Sequence, residues 1–218
     1  MSYTYDCNNP DQRRRGIAAA VRAVRRGSLV VLPTDTVYGL GCDAFNAEAV
    51  TALLAAKGRG RDLPVPVLVG SVSMLSGVSA QTGGVVSTLV EAFWPGGLTL
   101  VCRQQPSLRW DLGDAGGTVA IRMPLHPVAI EVLGETGPMA VSSANRSGLP
   151  PARSGEQARD QLGEAVAVYL DSDPTDDDVP STIVDVTGPA PRVLRAGTVS
   201  LDSLREVVPE TVAAVPSP

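Results

Sequence analysis

The 218-residue chain predicts an α/β fold: a single domain on a twisted mixed sheet flanked by helices. Two observations carry that expectation. Short apolar runs of strand length interleave with segments of helical period along the chain, and no repeat or linker separates them. The apolar content, 44%, suits a globular core.

In order along the chain, Asn9-Pro10 opens a first helix, with proline at a favoured early position. Ile17, Val21 and Val24 repeat at helical spacing, and Gly27 ends it. Residues 29–32 form a continuous apolar run that stops at Pro33, a buried strand. Residues 34–41 read as a polar cradle of hydroxyls and glycines. Asn46 caps a second helix, with Phe45 and Val50 placed as a hydrophobic staple. Its buried face is Val50, Leu53 and Leu54, and Gly58 stops it. Residues 65–69 read as a strand and 71–83 as a short helix plus a turn. Residues 85–93 are helical by period, broken by Trp94-Pro95-Gly96-Gly97. Strands follow at 98–102 and 118–122, separated by a loop at 104–117. His126-Pro127 starts a helix through Leu133, and 139–141 is a short strand running into Ser142-Ser143-Ala144-Asn145. Ser154 and Gln157 form a capping box for a helix to Leu162. Strands are expected at 166–170, 182–186 and 192–194, with an acidic, mobile, solvated loop at 171–178. Ser200 caps a last short helix. Residues 1–208 then make the domain, and 209–218 a disordered tail.

Bulk properties exclude several classes. No apolar run approaches the ~18 residues of a membrane span, and the N-terminus lacks an apolar core with a cleavage site, so a cytoplasmic protein without membrane contact is expected. Three widely spaced cysteines, Cys7, Cys42 and Cys102, fit reduced thiols better than a disulfide framework or a zinc site. The net charge of −5 argues against a dedicated nucleic-acid binder. The cations are local, at Arg13–Arg15, Arg22–Arg26 and Lys57–Arg61, which suits a small anionic ligand; the first two clusters also read as solvated helix faces.

Lys57 is the only lysine; the other 17 of the 18 basic residues are arginine. A compact point charge on a flexible stem is not interchangeable with a planar fork. Lys57 is therefore a candidate phosphate-binding or catalytic residue, or one lysine surviving by chance; its place beside Arg59 and Arg61 favours the first. Three polar stretches, 34–41, 142–148 and 181–182, each begin where an apolar strand ends. Singly each is turn chemistry; together they suggest strand ends converging on a binding cleft at one sheet edge. Arg122 ends a strand and could pair with a carboxylate ligand or form a structural salt bridge; Arg195 is a phosphate ligand or a surface arginine. Walker and dinucleotide-binding fingerprints are absent. His126 is the only histidine and stands at a helix cap, so a Ser-His-Asp triad has no base; a Ser–Lys hydrolase using Ser142 or Ser143 with Lys57 is a weaker reading.

The blocks PTDTVYGLG, KGR, FWPGGLTLV, TVAIRMPLHP, SSANRSG, STIVD and VLRAG, in that order from about residue 14 to 200, resemble the YrdC-like family, the threonylcarbamoyl-AMP synthases. The resemblance implies a YrdC-like domain that joins L-threonine, bicarbonate and ATP into threonylcarbamoyl-adenylate and pyrophosphate. The product goes to a tRNA threonylcarbamoyl transferase acting on adenosine 37. It implies Lys57 and Arg59 as catalytic residues, and Thr34, Arg122, Ser143 and Ser181 as threonine ligands. Lys57, Arg61, Thr118, Asn145 and Arg195 fall on the ATP side, and Arg153 is expected there in place of a Ser or Thr usual in the family. Mg2+ would come with the triphosphate, held by phosphate oxygens and water. Two departures stand out: Gly60 replaces a common proline and loosens its turn, and Gly70 stands where many members carry a histidine. The competing reading is an RNA-binding or regulatory relative making weak tRNA contacts through the basic runs.

Overall fold

In the computed structural model, residues 1–175 and 179–213 are described. Among them ten strands pair into one mixed sheet. In chain order they are β1 (Tyr3–Asp6), β2 (Leu29–Leu32), β3 (Gly39–Asp43), β4 (Val67–Leu68), β5 (Leu98–Arg103), β6 (Thr118–Arg122), β7 (Met139–Ser143), β8 (Val166–Asp171), β9 (Thr182–Asp185) and β10 (Arg192–Arg195). Across the sheet the order is β1-β8-β2-β3-β7-β4-β6-β5-β9-β10. Pairs β1–β8, β2–β8, β4–β6 and β5–β9 are parallel and the others antiparallel. The helices are α1 (Pro10–Arg25), α2 (Ala47–Lys57), α3 (Leu75–Val78), α4 (Val85–Phe93), α5 (Pro127–Thr136), α6 (Gly155–Leu162) and α7 (Leu201–Val207).

Local chemistry sets the helix ends. The Asn9 side chain accepts from the N–H groups of Asp11 and Gln12, and Asn46 from that of Ala49. Gly58 closes α2 in the left-handed region, φ 62°, where a Cβ would be strained. Ser154 caps α6 by accepting from Gln157 N–H, but the Gln157 side chain accepts from Arg153 N–H, so the box closes one residue earlier than expected. His126 caps α5, its Nδ1 accepting from Val128 N–H at 3.3 Å.

The two sheet faces are covered unequally, and this places the site. On one face α2, α4, α6 and α7 pack Leu53, Leu89, Leu162 and Leu204 against β2 through β9 residues such as Val31, Leu40, Ile121, Leu100 and Val184. On the other, α1 and α5 cover Val30, Leu32, Met139, Val168 and Leu170, and Leu68 and Val141 lie at the margin of that cover, packed on one side and lining open space on the other. Side chains alternate across a strand, so this second face continues through Ala120 and Arg122 of β6, Thr99 and Val101 of β5 and Ile183 of β9. Neither α1 nor α5 packs on those residues.

Several elements differ from the sequence reading. β1 carries no apolar period because three of its four residues are exposed at the sheet edge. Residues 39–41, read as the end of a polar cradle, form with 42–43 the strand β3, antiparallel to both β2 and β7. Its glycines answer to space: a Cβ on Gly39 would lie 2.6 Å from Val141 Cγ1, and one on Gly41 2.9 Å from Met139 Cε. The strand expected at 65–69 is paired only at Val67 and Leu68. The Phe45 ring is half exposed and stacks on Trp110 with centroids 5.5 Å apart, while Val50 is buried. The 209–218 tail is not loose from its start. Thr211 is buried, and Val212 runs beside β10, with Val193 N–H on Val212 O at 2.9 Å. Residues 214–218 lie outside the described residues. So do 176–178 of the acidic loop, whose first residue, Asp171, ends β8 and accepts from Gly155 N–H at 2.7 Å.

Replacing Gly41 by valine is expected to lower the unfolding free energy by about 1–3 kcal/mol, the usual cost of overpacking. The urea midpoint should fall while the slope of the transition stays constant.

Candidate active site

The uncovered half-face holds a cleft of about 520 Å³. Its floor is small and branched: Leu68, Val101, Ala120, Val141 and Ile183. Thr34, Thr36, Arg122, Thr99, Ser181 and Arg195 bring polar groups to it from five different segments, and Arg59, Ser142 and Ser143 bring more. The polar stretches do converge, as expected, over the face left open between β7 and the edge strand β10. The reason is that α1 and α5 stop short of β6, β5 and β9.

Arg122 is the most firmly held of the three arginines that line the cleft, 6% exposed. It donates through Nη2 to Asp35 Oδ1 at 2.6 Å, through Nη1 to Thr36 Oγ1 at 2.7 Å and through Nε to Gly96 O at 2.9 Å. Asp35 Oδ1 also accepts from Leu125 N–H at 2.7 Å. Thr34 Oγ1 donates to Val37 O at 2.7 Å and accepts from Thr36 N–H, with the Thr36 hydroxyl 3.2 Å away. Arg122, Thr36 and Thr34 thus form one hydrogen-bonded chain running from a guanidinium to a backbone carbonyl. Arg195 donates to Ser181 O at 2.7 Å and to Ser181 Oγ at 3.1 Å, and Ser181 Oγ shares a 2.7 Å hydrogen bond with Thr99 Oγ1.

Lys57, Arg59 and Arg61 do not form one clamp. Lys57 is 3% exposed and points under the turn after β7. Its Nζ donates to Ser143 O, to Asn145 O at 2.8 Å and to Asn145 Oδ1 at 3.1 Å, with Ser143 Oγ at 3.4 Å. Burial first, and then neighbouring Arg59, pull the ammonium down to about 8. Arg59 lines the cleft, donating to Ser142 Oγ at 3.3 Å, and its Nε is buried without a partner among the described residues. Arg61 turns the other way, to the exterior, where it pairs with Asp111 at 2.5 Å.

The remaining expected residues make bonds that shape the chain. Asn145 Nδ2 donates to Arg146 O and Leu149 O, fixing its turn. Thr118 Oγ1 donates to Ala115 O at 2.7 Å. Arg153 donates to Thr175 O. None of these three lines the cleft. Gly70 has no room for a side chain, because a Cβ would meet Gly134 N at 2.9 Å. Sequence reasoning gave no individual role to Asp35, Thr36 or Thr99. A carboxylate two residues after Pro33, and a lone hydroxyl inside the apolar run LTLV, were the available signals.

The electrostatics are one-sided. Arg59, Arg122 and Arg195 all line the cleft, and among the described residues no carboxylate does. Burial lowers the pKa of each arginine; Arg195 is lowered further by the charges of Arg122 and Arg59, while Asp35 opposes the shift at Arg122. A chain of net charge −5 thus concentrates positive charge at one concavity, the arrangement of a site for an anion.

Comparison with known proteins agrees with the geometry. The Sua5/YciO/YrdC family model, described as "Telomere recombination", matches residues 22–197. A Mycobacterium tuberculosis (strain CDC 1551 / Oshkosh) protein provisionally named threonylcarbamoyl-AMP synthase is 61% identical over 208 residues, 95% of this chain and 96% of that one. The threonylcarbamoyl-AMP synthase of Bacillus subtilis (strain 168) is 37% identical over 194 residues, 88% of this chain and 56% of its own length. The crystal structure of P. abyssi Sua5 complexed with L-threonine superposes with a TM-score of 0.88 at 30% identity, covering 98% of this chain and 62% of that one. The chain belongs to the Sua5/YciO/YrdC family.

Proposed function

We propose that the chain is an L-threonylcarbamoyladenylate synthase, a nucleotidyltransferase that makes threonylcarbamoyl-AMP for threonylcarbamoylation of tRNA adenosine 37. The observation that carries this reading is the cleft lined by Arg59, Arg122 and Arg195 and, among the described residues, by no carboxylate. Such a lining favours substrates that are all anionic or carry a carboxylate: threonine, bicarbonate and ATP. The names of the relatives and the threonine-bound neighbour support it.

In this reading bicarbonate gives CO2 and hydroxide, the threonine amine adds to the CO2 carbon, and the proton that leaves the nitrogen joins the hydroxide as water. A carbamate oxygen then attacks the α-phosphorus of ATP. The bond to the bridging oxygen breaks and pyrophosphate leaves. The protein contributes position and charge and no acid–base group, consistent with a cleft whose described lining has neither histidine nor carboxylate. Arg122, with Thr34, Ser143 and Ser181 around the same floor, holds threonine; Arg59 and Arg195 face the phosphates. The ammonium of Lys57 fixes Ser143 and the Asn145 turn against α2. Mg2+ would accompany the triphosphate and offset its charge; phosphate oxygens and water would supply most of its ligands, since the described lining offers hydroxyls such as those of Thr34, Thr36 and Ser143 and no carboxylate. The product passes to a tRNA threonylcarbamoyl transferase, and three buried free thiols suit the cytoplasm.

Purified protein given ATP and magnesium should release pyrophosphate only when both threonine and bicarbonate are present. Release that ignores threonine, or none at all, removes the proposal. The two cations of the first crossover should separate by stability. Among the described residues, Lys57→Ala takes the only donor from two buried oxygens of Asn145 and one of two from Ser143 O, which also accepts from Asn145 N–H, and should cost about 2–3 kcal/mol of stability as well as turnover. Arg59→Ala, which removes one side-chain hydrogen bond among the described residues, should leave stability within about 0.5 kcal/mol yet reduce kcat/KM for ATP by roughly 10–100-fold. Paired thermal melts and rate measurements check both.

The Lys57 pKa of about 8 also sets a pH dependence. Loss of the ammonium should give an alkaline limb in the rate of pyrophosphate release centred at about 8. Stability should move the opposite way. The folded pKa lies below the unfolded one, so above 8 the unfolded chain holds the extra proton, and this lysine's contribution to stability rises with pH up to its ordinary value of 10.5. A rate that falls while the melting temperature holds or climbs distinguishes deprotonation from unfolding.

A further inference from the structure

The segment that carries Arg59 into the cleft is held from outside. Residues 59–64 leave α2 through the Gly58 cap and reach β4 through Leu63 and Pro64, both of which line the cleft. Gly60 adds backbone freedom at its centre. Among the described residues, every hydrogen bond and ion pair that ties residues 60–65 to the rest of the chain runs to residues 111–114. Asp114 N–H donates to Arg61 O at 2.9 Å, and Val65 N–H donates to Leu112 O at 2.9 Å. Arg61 Nη2 meets Asp111 Oδ1 at 2.5 Å, and Arg61 Nε stands 3.9 Å from Asp114 Oδ1. Gly113 fits this junction because its Cα faces the loop backbone: a Cβ there would lie 2.8 Å from Arg61 O and 3.2 Å from Pro64 Cα, and its φ of 102° also favours glycine. Asp111 Oδ1 accepts from Gly113 N–H at 3.3 Å, shaping the turn that receives Arg61.

We propose that Arg61 is a positioning residue: with Asp111 it latches the Arg59 loop to the 108–114 loop, setting where Arg59 stands over the cleft, and it does not itself contact nucleotide. The inference rests on the proposed adenylate-forming activity. Arg61 and Arg59 leave the backbone on opposite sides of a short loop, one paired outside and one open to the cleft. An exposed ion pair adds little to global stability, so the latch should act on the local freedom of a loop with few other anchors.

The decisive variant is Asp111→Asn, which keeps the acceptor for Gly113 N–H and removes the charge that holds Arg61. If Arg61 were a phosphate ligand, removing its competing carboxylate would leave KM for ATP unchanged or lower it. A latch requires the reverse. Asp111→Asn, Arg61→Ala and the double variant should each raise KM for ATP by a similar factor, roughly three- to tenfold, with no added effect in the double. KM for threonine should stay constant. Amide hydrogen exchange in residues 59–64, measured without any substrate, should quicken in all three. A fall or no change in KM for ATP in Asp111→Asn, additive effects in the double, or unchanged loop exchange would overturn the latch. An inactive wild-type protein would remove the proposed function instead, and the exchange measurement would still test the latch.

Discussion

Removing positive charge from water is costly unless something answers it, and the cleft holds three guanidinium groups that are answered unequally. Among the described residues, only Arg122 of the three has an ion-pair partner, Asp35. Arg195 is answered by the carbonyl and hydroxyl of Ser181, and Arg59 by one serine hydroxyl, with its Nε unpaired. Burial pulls buried Arg122 and half-buried Arg59 toward the neutral form; Arg195, exposed at the cleft mouth, is lowered by partial desolvation and by the charges of the other two, and the remaining demand for negative charge is what an anionic ligand meets on binding. The sheet makes this tolerable. Arg122 and Arg195 end β6 and β10, and Arg59 reaches Ser142 near the end of β7, so carbonyls and short hydroxyl side chains lie within reach of each. The cost in stability and the capacity to bind therefore come from the same groups.

Lys57 solves a different problem. The turn after β7 leaves the carbonyls of Ser143 and Asn145 and the amide oxygen of Asn145 facing inward, and a buried ammonium satisfies all three from the last residue of α2. A guanidinium is broader and planar, whereas an ammonium can turn its three donors to three nearby oxygens. That gives a steric reason for a lysine in a chain whose other basic residues are all arginine. The lysine also couples α2 to β7, on which Ser143 lines the cleft, so it bears on the site through that strand.

Elements with a strong period or a cap were legible in the sequence. α4 and β6 lie where their patterns put them, because each buries one face and ends at an unambiguous breaker. β1 and β3 were not legible, for opposite reasons. β1 is a polar edge strand paired on one side, and β3 has glycines where two neighbouring strands leave no room for side chains. The site was half legible. Thr34, Arg59, Arg122, Ser143, Ser181 and Arg195 do meet at one cleft. Spacing along α2 could not tell that Lys57 turns inward and Arg61 outward, since three cations at i, i+2 and i+4 around a helix end take directions set by the Gly58 cap and by distant Asp111. Nor could it show which half of the sheet the helices would leave bare.

The bare half has a chemical consequence. Its floor, Leu68, Val101, Ala120, Val141 and Ile183, offers water few groups to bond to, while the charged groups sit around it. An electrostatic attraction exerted over such a floor is screened less than the same attraction at an open polar surface. Carbamates and mixed anhydrides with phosphate are both consumed by water, so a site that makes one from the other gains by keeping its solvent at the rim. A helix over β6, β5 and β9 would have buried the same apolar residues more completely but would have filled the volume the substrates need. The incomplete helical layer is therefore the feature that converts a stable sheet into a reaction surface, and the arginines fix where on that surface the anions lie.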